Sequence, residues 1–204
     1  MRRRDTVREI AVGLLVASAF GVASGMTPTP RSSQSTAPLE GTAKPVVVIR
    51  DFKDGRASVC TARPDLHLSV ARDDSFPTEQ VLVVEYPGPG KDPAARDTQC
   101  TAQSHDWTAG SAIAFQIKPA HTLRLSLSFI DRNRVVYTTW KELTGDVWQL
   151  VRIPFQEMRP NPYFQPPDAK TGAPLDVTAV ENIAFAPQDQ TSGRLLIRSF
   201  VVTK

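Results

Sequence analysis

Three histidines, two cysteines and scattered carboxylates are the residues of this 204-residue chain with the types to do covalent chemistry, and their spacing argues against it. His67, His105 and His121 do not cluster in sequence. Asp106 follows His105 directly, but a neighbour in sequence does not orient an imidazole, and no Gly-x-Ser-x-Gly elbow accompanies the pair. Asp73 and Asp74 form part of an Arg-Asp-Asp turn with no partner suited to acid–base work. The stretch Gly88-Pro89-Gly90-Lys91 lacks the glycine spacing and following helix of a phosphate loop. No catalytic residue is expected, and the chain reads as a non-enzyme. What remains is recognition chemistry. Arg124, Ser126, Tyr137, Thr139 and Arg152 supply planar donors, hydroxyls and one aromatic ring. Gathered on one sheet face, they would hold a polar ligand without reacting with it. The competing assignment for the same residues is a solvated outer face with Tyr137 half-buried against its neighbours.

The strands that must position these groups are visible in the hydropathy pattern. Leu123, Leu125, Leu127 and Phe129 alternate with Arg124, Ser126 and Ser128, the period of a strand with one buried and one wet face. Residues 134–140 supply a second strand, with Tyr137 and Thr139 on one face and Val136, Thr138 and Trp140 on the other. Residues 148–155 supply a third, stopped by Pro154, which cannot donate to a ladder. Three consecutive strands with polar links predict an antiparallel meander, which brings Arg152 beside Arg124, Ser126 and Tyr137. Trp107 and Trp148 are expected in the core; Trp140 is divided between core and ligand platform.

Upstream, Val46 to Ile49 is a β-branched run, turned by Asp51 to Gly55. Residues 57–62 read as short and extended. Leu66, Leu68 and Val70 alternate with His67, Ser69 and Ala71. In residues 80–86, Val81, Val83 and Glu85 share one face and Leu82, Val84 and Tyr86 the other. Residues 91–105 read as a polar loop, and Ile113, Phe115 and Ile117 begin the next strand. Residues 156–174 are proline-rich and irregular, residues 175–180 suggest one helical turn, and residues 182–186 and 194–202 are the last strands. About nine or ten strands with hardly any amphipathic helix predict an all-β sandwich of jelly-roll type.

Composition narrows the partners. The sequence pI is about 9.0. Yet Arg2, Arg3, Arg4 and Arg8, set against Asp5 and Glu9, put two of the three net positive charges in the first 25 residues. The remainder is nearly neutral and shows no basic stripe, so nucleic acid is not an expected partner. Residues 1–25 have a positive start, an apolar run of about 14 residues and small residues at 23–25, the pattern of a cleaved export signal. The run is short of the ~20 residues of a spanning helix; retention as a membrane anchor is the alternative. Residues 26–44 are rich in Pro, Ser and Thr and read as a flexible linker, leaving 45–204 as the folded domain. A secreted or periplasmic location follows, with no membrane contact beyond export. In an oxidising compartment, Cys60 and Cys100 most simply pair with each other. Two buried free thiols or a metal pair are the alternatives, although neither cysteine has a ligand at metal spacing.

Several landmarks fall in a recognisable order. Phe52 follows the opening strand, and Trp107 precedes Ile113-Ala114-Phe115-Gln116-Ile117. A run of strands leads to Trp148-Gln149-Leu150-Val151-Arg152-Ile153-Pro154-Phe155, and Val180-Glu181-Asn182-Ile183-Ala184-Phe185 comes before the final strand. This order resembles the galactose-binding-like jelly rolls, most closely family-eleven carbohydrate-binding modules and the complex I intermediate-associated protein domain, over roughly residues 45–204. The resemblance implies a galactose-binding-like sandwich that takes a polysaccharide or glycoconjugate on one sheet face, through Arg124, Ser126, Tyr137, Thr139 and Arg152. Its second branch implies a protein-binding assembly or scaffold domain of the cell envelope. Many such modules hold a structural calcium. Here Arg198-Ser199 occupy the last strand where relatives carry an acidic residue, and Asp51 and Asp54 fall short of the six to eight ligands calcium takes. No metal site and no cofactor are expected, calcium staying open as the exception.

Overall fold

The computed structural model of the chain describes residues 44–88, 97–188 and 191–204. The export signal and the linker expected over 1–44 lie outside these residues, Lys44 excepted, as does most of the glycine–proline turn at 88–91.

Apolar alternation builds two antiparallel sheets packed face to face. The first, sheet A, runs β3 (His67–Asp73), β4 (Phe76–Tyr86), β12 (Gly193–Thr203), β6 (Ala112–Pro119), β9 (Gln149–Pro154), with β1 (Val47–Asp51) also paired to β12. Sheet B runs β10 (Arg159–Pro160), β8 (Val136–Leu143), β7 (Leu123–Asp131), β11 (Val180–Pro187), β5 (Thr98–Thr101), β2 (Cys60–Ala62). The inner faces supply one core. Leu123, Leu125, Leu127 and Phe129 point into it from β7, Ile113, Phe115 and Ile117 from β6, and Leu195, Ile197, Phe200 and Val202 from β12. Trp107 is fully buried there, its ring edge-on to Phe129 at 5.3 Å and stacked on Phe155 at 6.0 Å, and its indole N–H donates to the Ser104 carbonyl at 2.8 Å. A ring of that size, with its one polar atom satisfied, is core material.

Cys60 and Cys100 face each other across the β2–β5 pair and are joined by a disulfide. The bridge closes a loop of 40 residues at the edge of sheet B.

The structure departs from the sequence expectation in four places. Twelve strands are present among the described residues, against nine or ten. Part of the polar loop over 91–105 is β5, because Thr98 and Cys100 turn inward and are buried while Gln99 stays on the outer side. Residues 175–180 hold a turn at 177–178 and then the first residue of β11, not a helical turn; Asp176 accepts the Thr178 N–H and hydroxyl, a local bond that competes with helix. Most consequentially, the meander is broken. β7 pairs with β8, but β9 crosses the sandwich and pairs with β6 in sheet A.

Candidate functional site: a groove on the outer face of sheet A

The inward residues of β12 are Leu195, Ile197, Phe200 and Val202, so the period-two step becomes three after Ile197. The partner strand β6 keeps strict alternation: Ile197 pairs with Ile117 and Phe200 with Phe115, leaving Arg198 and Ser199 both opposite Gln116. One extra residue on one strand is a β-bulge, a device that re-aims a side chain. At the same point β12 changes its partner on the other edge, from β4 through Ile197 to β1 from Ser199. The result is that Arg198 shares the outer face of sheet A with Gln116.

Every group around that guanidinium orients it. Nε and Nη2 donate to the two oxygens of the Glu79 carboxylate, and Nη1 donates to Gln116 Oε1 at 2.5 Å. The guanidinium carbon sits 4.4 Å from the Phe76 ring centroid, within cation–π range. Phe76 meets the Trp148 ring edge-on at 5.1 Å, and the Trp148 indole N–H donates to Asp73 Oδ1 at 3.1 Å. Hydrogen bonds from Arg198 hold the Glu79 carboxyl below its ordinary range, against the opposing effect of burial. Burial would raise Asp73, but the Ser75 amide and the Trp148 indole outweigh it and the group is lowered.

Beside Arg198 the surface opens into a groove of about 280 Å³. Ala114, Gln116 and Val201 provide small or flat groups, Leu150 and Arg152 come from β9, and Pro45 and Thr203 complete the concavity. Arg152 is exposed; its Nη2 donates to the Lys204 main-chain oxygen at 2.9 Å. The groove thus combines two guanidiniums and one amide, all planar and able to bond paired oxygens, with a small apolar floor.

The five residues expected to share a face do not share one. Arg124 and Ser126 lie on the outer face of sheet B, where Ser126 pairs with Trp140 and the Arg124 guanidinium sits 5.3 Å from the Trp140 ring centroid and 3.6 Å from Glu142. Tyr137 pairs with Phe129 and points into the core, 1% exposed, with its hydroxyl donating to the Ala173 carbonyl at 2.8 Å. Burial, then Asp131 and Asp176, push its phenol upward, so it stays neutral. Thr139 pairs with Leu127 on the same inward side. Arg152 is across the sandwich, because β9 belongs to sheet A. The physical reasons are strand parity for Tyr137 and Thr139, and the crossover for Arg152. Trp148 is also displaced from its expected place in the core. It lies half-buried against Val81, Val83 and Leu196, a cluster on the outer face of sheet A.

Four residues of this face were not among the binding residues expected from the sequence: Phe76, Glu79, Gln116 and Arg198. Two signals pointed to them. The 195–197–200–202 spacing marks the bulge, and a β4 that is apolar on both faces needs a cover on each.

The two carboxylates weighed as calcium ligands each lie beside a basic side chain. Asp51 Oδ2 lies 3.7 Å from Lys53 Nζ, and Asp54 accepts the Arg56 N–H at 3.0 Å with the Arg56 side chain beside it. Among the described residues no group of three or more His, Cys, Asp or Glu is placed to hold a metal ion. No helix among the described residues is long and apolar enough to cross a membrane.

No protein-family profile matches the chain, and no characterised protein matches it in sequence. Solved structures do match in shape. A family 11 carbohydrate-binding module from Clostridium thermocellum, solved with a β-1,3-1,4-mixed-linked tetrasaccharide, is 17% identical, with a TM-score of 0.60 over 77% of this chain and 94% of that one. A family 30 carbohydrate-binding module is 14% identical, with a TM-score of 0.54 over 78% of this chain and 88% of that one. An exo-β-agarase matches through 26% of its length, at 13% identity and a TM-score of 0.55. The chain therefore has the jelly-roll β-sandwich fold seen in family 11 and family 30 carbohydrate-binding modules. Identities this low establish the fold and not the ligand.

Proposed function

We propose that this protein is an exported, non-catalytic carbohydrate-binding module, and that it takes a polysaccharide or glycoconjugate in the groove on sheet A. The observation that carries the reading is the groove beside Arg198. It is concave and carries planar donors and acceptors from Arg198, Gln116 and Arg152. The half-buried rings of Phe76 and Trp148 extend the same face. Sugar recognition asks for this combination: planar polar groups for paired hydroxyls and apolar faces for the ring. Similarity in shape to modules solved with an oligosaccharide supports it, and the disulfide supports an oxidising compartment. The test is a glycan array followed by affinity electrophoresis of the full chain. Saturable binding that is lost in Gln116→Ala and kept in Arg124→Ala is expected. Binding to no saccharide by a folded protein would refute the reading.

One observation favours the rival, a protein-binding assembly domain of the envelope. Tyr163 and Phe164 are 87% and 62% exposed. Their loop is tied by hydrogen bonds, with Asn161 Oδ1 accepting both of their N–H groups and Gln165 bonding both backbone polar groups of Val136. Exposed aromatics on an anchored loop are what a partner protein buries. Crosslinking to a partner that a Tyr163→Ser, Phe164→Ser variant loses, with saccharide binding absent from both proteins, would favour this rival.

A further inference from the structure

The lining of the groove has a one-sided charge. Among the described residues, the ionisable side chains that line it are Arg152 and Arg198, and no carboxylate side chain does. Extending the view to the chain neighbours of the lining residues adds Lys44, next to Pro45, and Lys204, next to Thr203, both exposed, and still no Asp or Glu side chain. Arg198 is answered by Glu79 from the β4 side. Arg152 has no carboxylate side chain within ion-pair distance among the described residues; its one protein bond is to the Lys204 main-chain oxygen. Arg124, Arg132 and Arg134 each have a carboxylate beside them, from Glu142, Asp176 and Asp168, whereas Arg50 and Arg159, like Arg152, bond main-chain oxygens.

Resting on the carbohydrate reading above, we propose that the ligand of this groove is an anionic glycan, whose carboxylate or sulfate groups are bound by Arg152. A guanidinium presents parallel N–H donors that match a planar carboxylate or two oxygens of a sulfate. Arg198, locked by Glu79, Gln116 and Phe76, offers its remaining N–H groups at a fixed position on the opposite wall. The aliphatic side chain of Leu150 and the Ala114–Val201 floor lie between them, where an apolar ring face fits. A neutral glycan would gain hydrogen bonds here but would bring no charge to the Arg152 guanidinium.

The experiment is affinity electrophoresis and titration calorimetry on the full chain with three probes: polygalacturonate, chondroitin sulfate and a neutral mixed-linkage β-glucan. The expected result is binding to at least one anionic probe about tenfold or more tighter than to the glucan, falling as salt is raised from low to high. Polygalacturonate binding alone identifies carboxylate as the recognised group, and chondroitin binding alone identifies sulfate. Arg152→Gln should weaken the anionic probe about tenfold or more, with Arg152→Lys retaining part of the affinity. Arg134→Gln, on the loop after β7, should change nothing. Neutral glucan bound as well as the anionic probes would overturn this inference and leave the carbohydrate reading standing. Equal loss in Arg134→Gln would show diffuse charge attraction and overturn it as well. Binding to no probe by a folded protein would count against both readings.

Discussion

Replacing Cys60 and Cys100 together by alanine removes the one covalent constraint on sheet B, and its effect can be worked from the loop it closes. The bridge spans 40 residues. In the chain-entropy model, closing a loop of that length withdraws about 13 cal/mol/K from the unfolded ensemble, or ~4 kcal/mol at 25 °C. For a domain of this size that corresponds to a fall in Tm of roughly 10 °C. The assay is urea unfolding of the double variant beside the parent, with far-UV circular dichroism to establish that the native sandwich persists. Binding should be untouched, since β2 and β5 sit at one edge of sheet B and the groove lies on the outside of sheet A. A stability loss under about 1 kcal/mol would refute the entropic argument. A folded variant that no longer binds its saccharide would refute the placement of the site.

Glu79→Gln should destabilise the domain at neutral pH by no more than ~1 kcal/mol, because Glu79 and Arg198 are both about a third exposed and solvent screens the pair. The native carboxyl is held below its ordinary value of about 4.3, so its contribution is complete above that value and disappears as pH falls through the lowered native one. Denaturation curves of parent and variant should therefore converge on acidification, and a gap that widens toward low pH would contradict the sign. Trp107→Ala empties the centre of the core, where the ring is fully buried between Phe129 and Phe155, and should cost about 3–5 kcal/mol in urea unfolding. A Cβ at Gly110 would stand 2.5 Å from the Thr203 carbonyl oxygen. Backbone cannot yield cheaply there, so Gly110→Ala should lower stability by about 1–3 kcal/mol, and an unchanged unfolding midpoint would show the close approach to be slack.

The fold was legible where a strand has one wet face. The alternation of Leu123 to Phe129 against Arg124 to Ser128 placed β7 and its inward side, and the apolar runs placed β4, β6 and β12. It was not legible where pairing is decided by the rest of the molecule. Nothing local in residues 148–154 says that they pair with β6 rather than β8, and that one crossover moves Arg152 to the other side of the sandwich. Strand parity was read correctly for β8, but its partner face was not: Ser126 opposes Trp140, not Tyr137. Thr98–Thr101 is short and polar and becomes a strand only because the Cys100 bridge and β11 hold it. Trp148 looked like core because it occupies a landmark position of the fold that the sequence resembles. Its cover is instead the outer Val81, Val83 and Leu196 cluster, which the two apolar faces of β4 announce. Arg198 was noticed only as a departure from relatives, whereas the broken spacing around it is what makes the groove.

The central claim is that the ligand lies on the outside of sheet A. The most direct measurement follows backbone amide chemical shifts of the labelled full chain during titration with a bound oligosaccharide. The account predicts that shifts concentrate on Ala114 to Lys118, Leu150 to Arg152 and Arg198 to Thr203, with the amides around Arg124 and Trp140 unmoved. Shifts centred on Arg124, Ser126 and Trp140 would put the ligand on sheet B and contradict it.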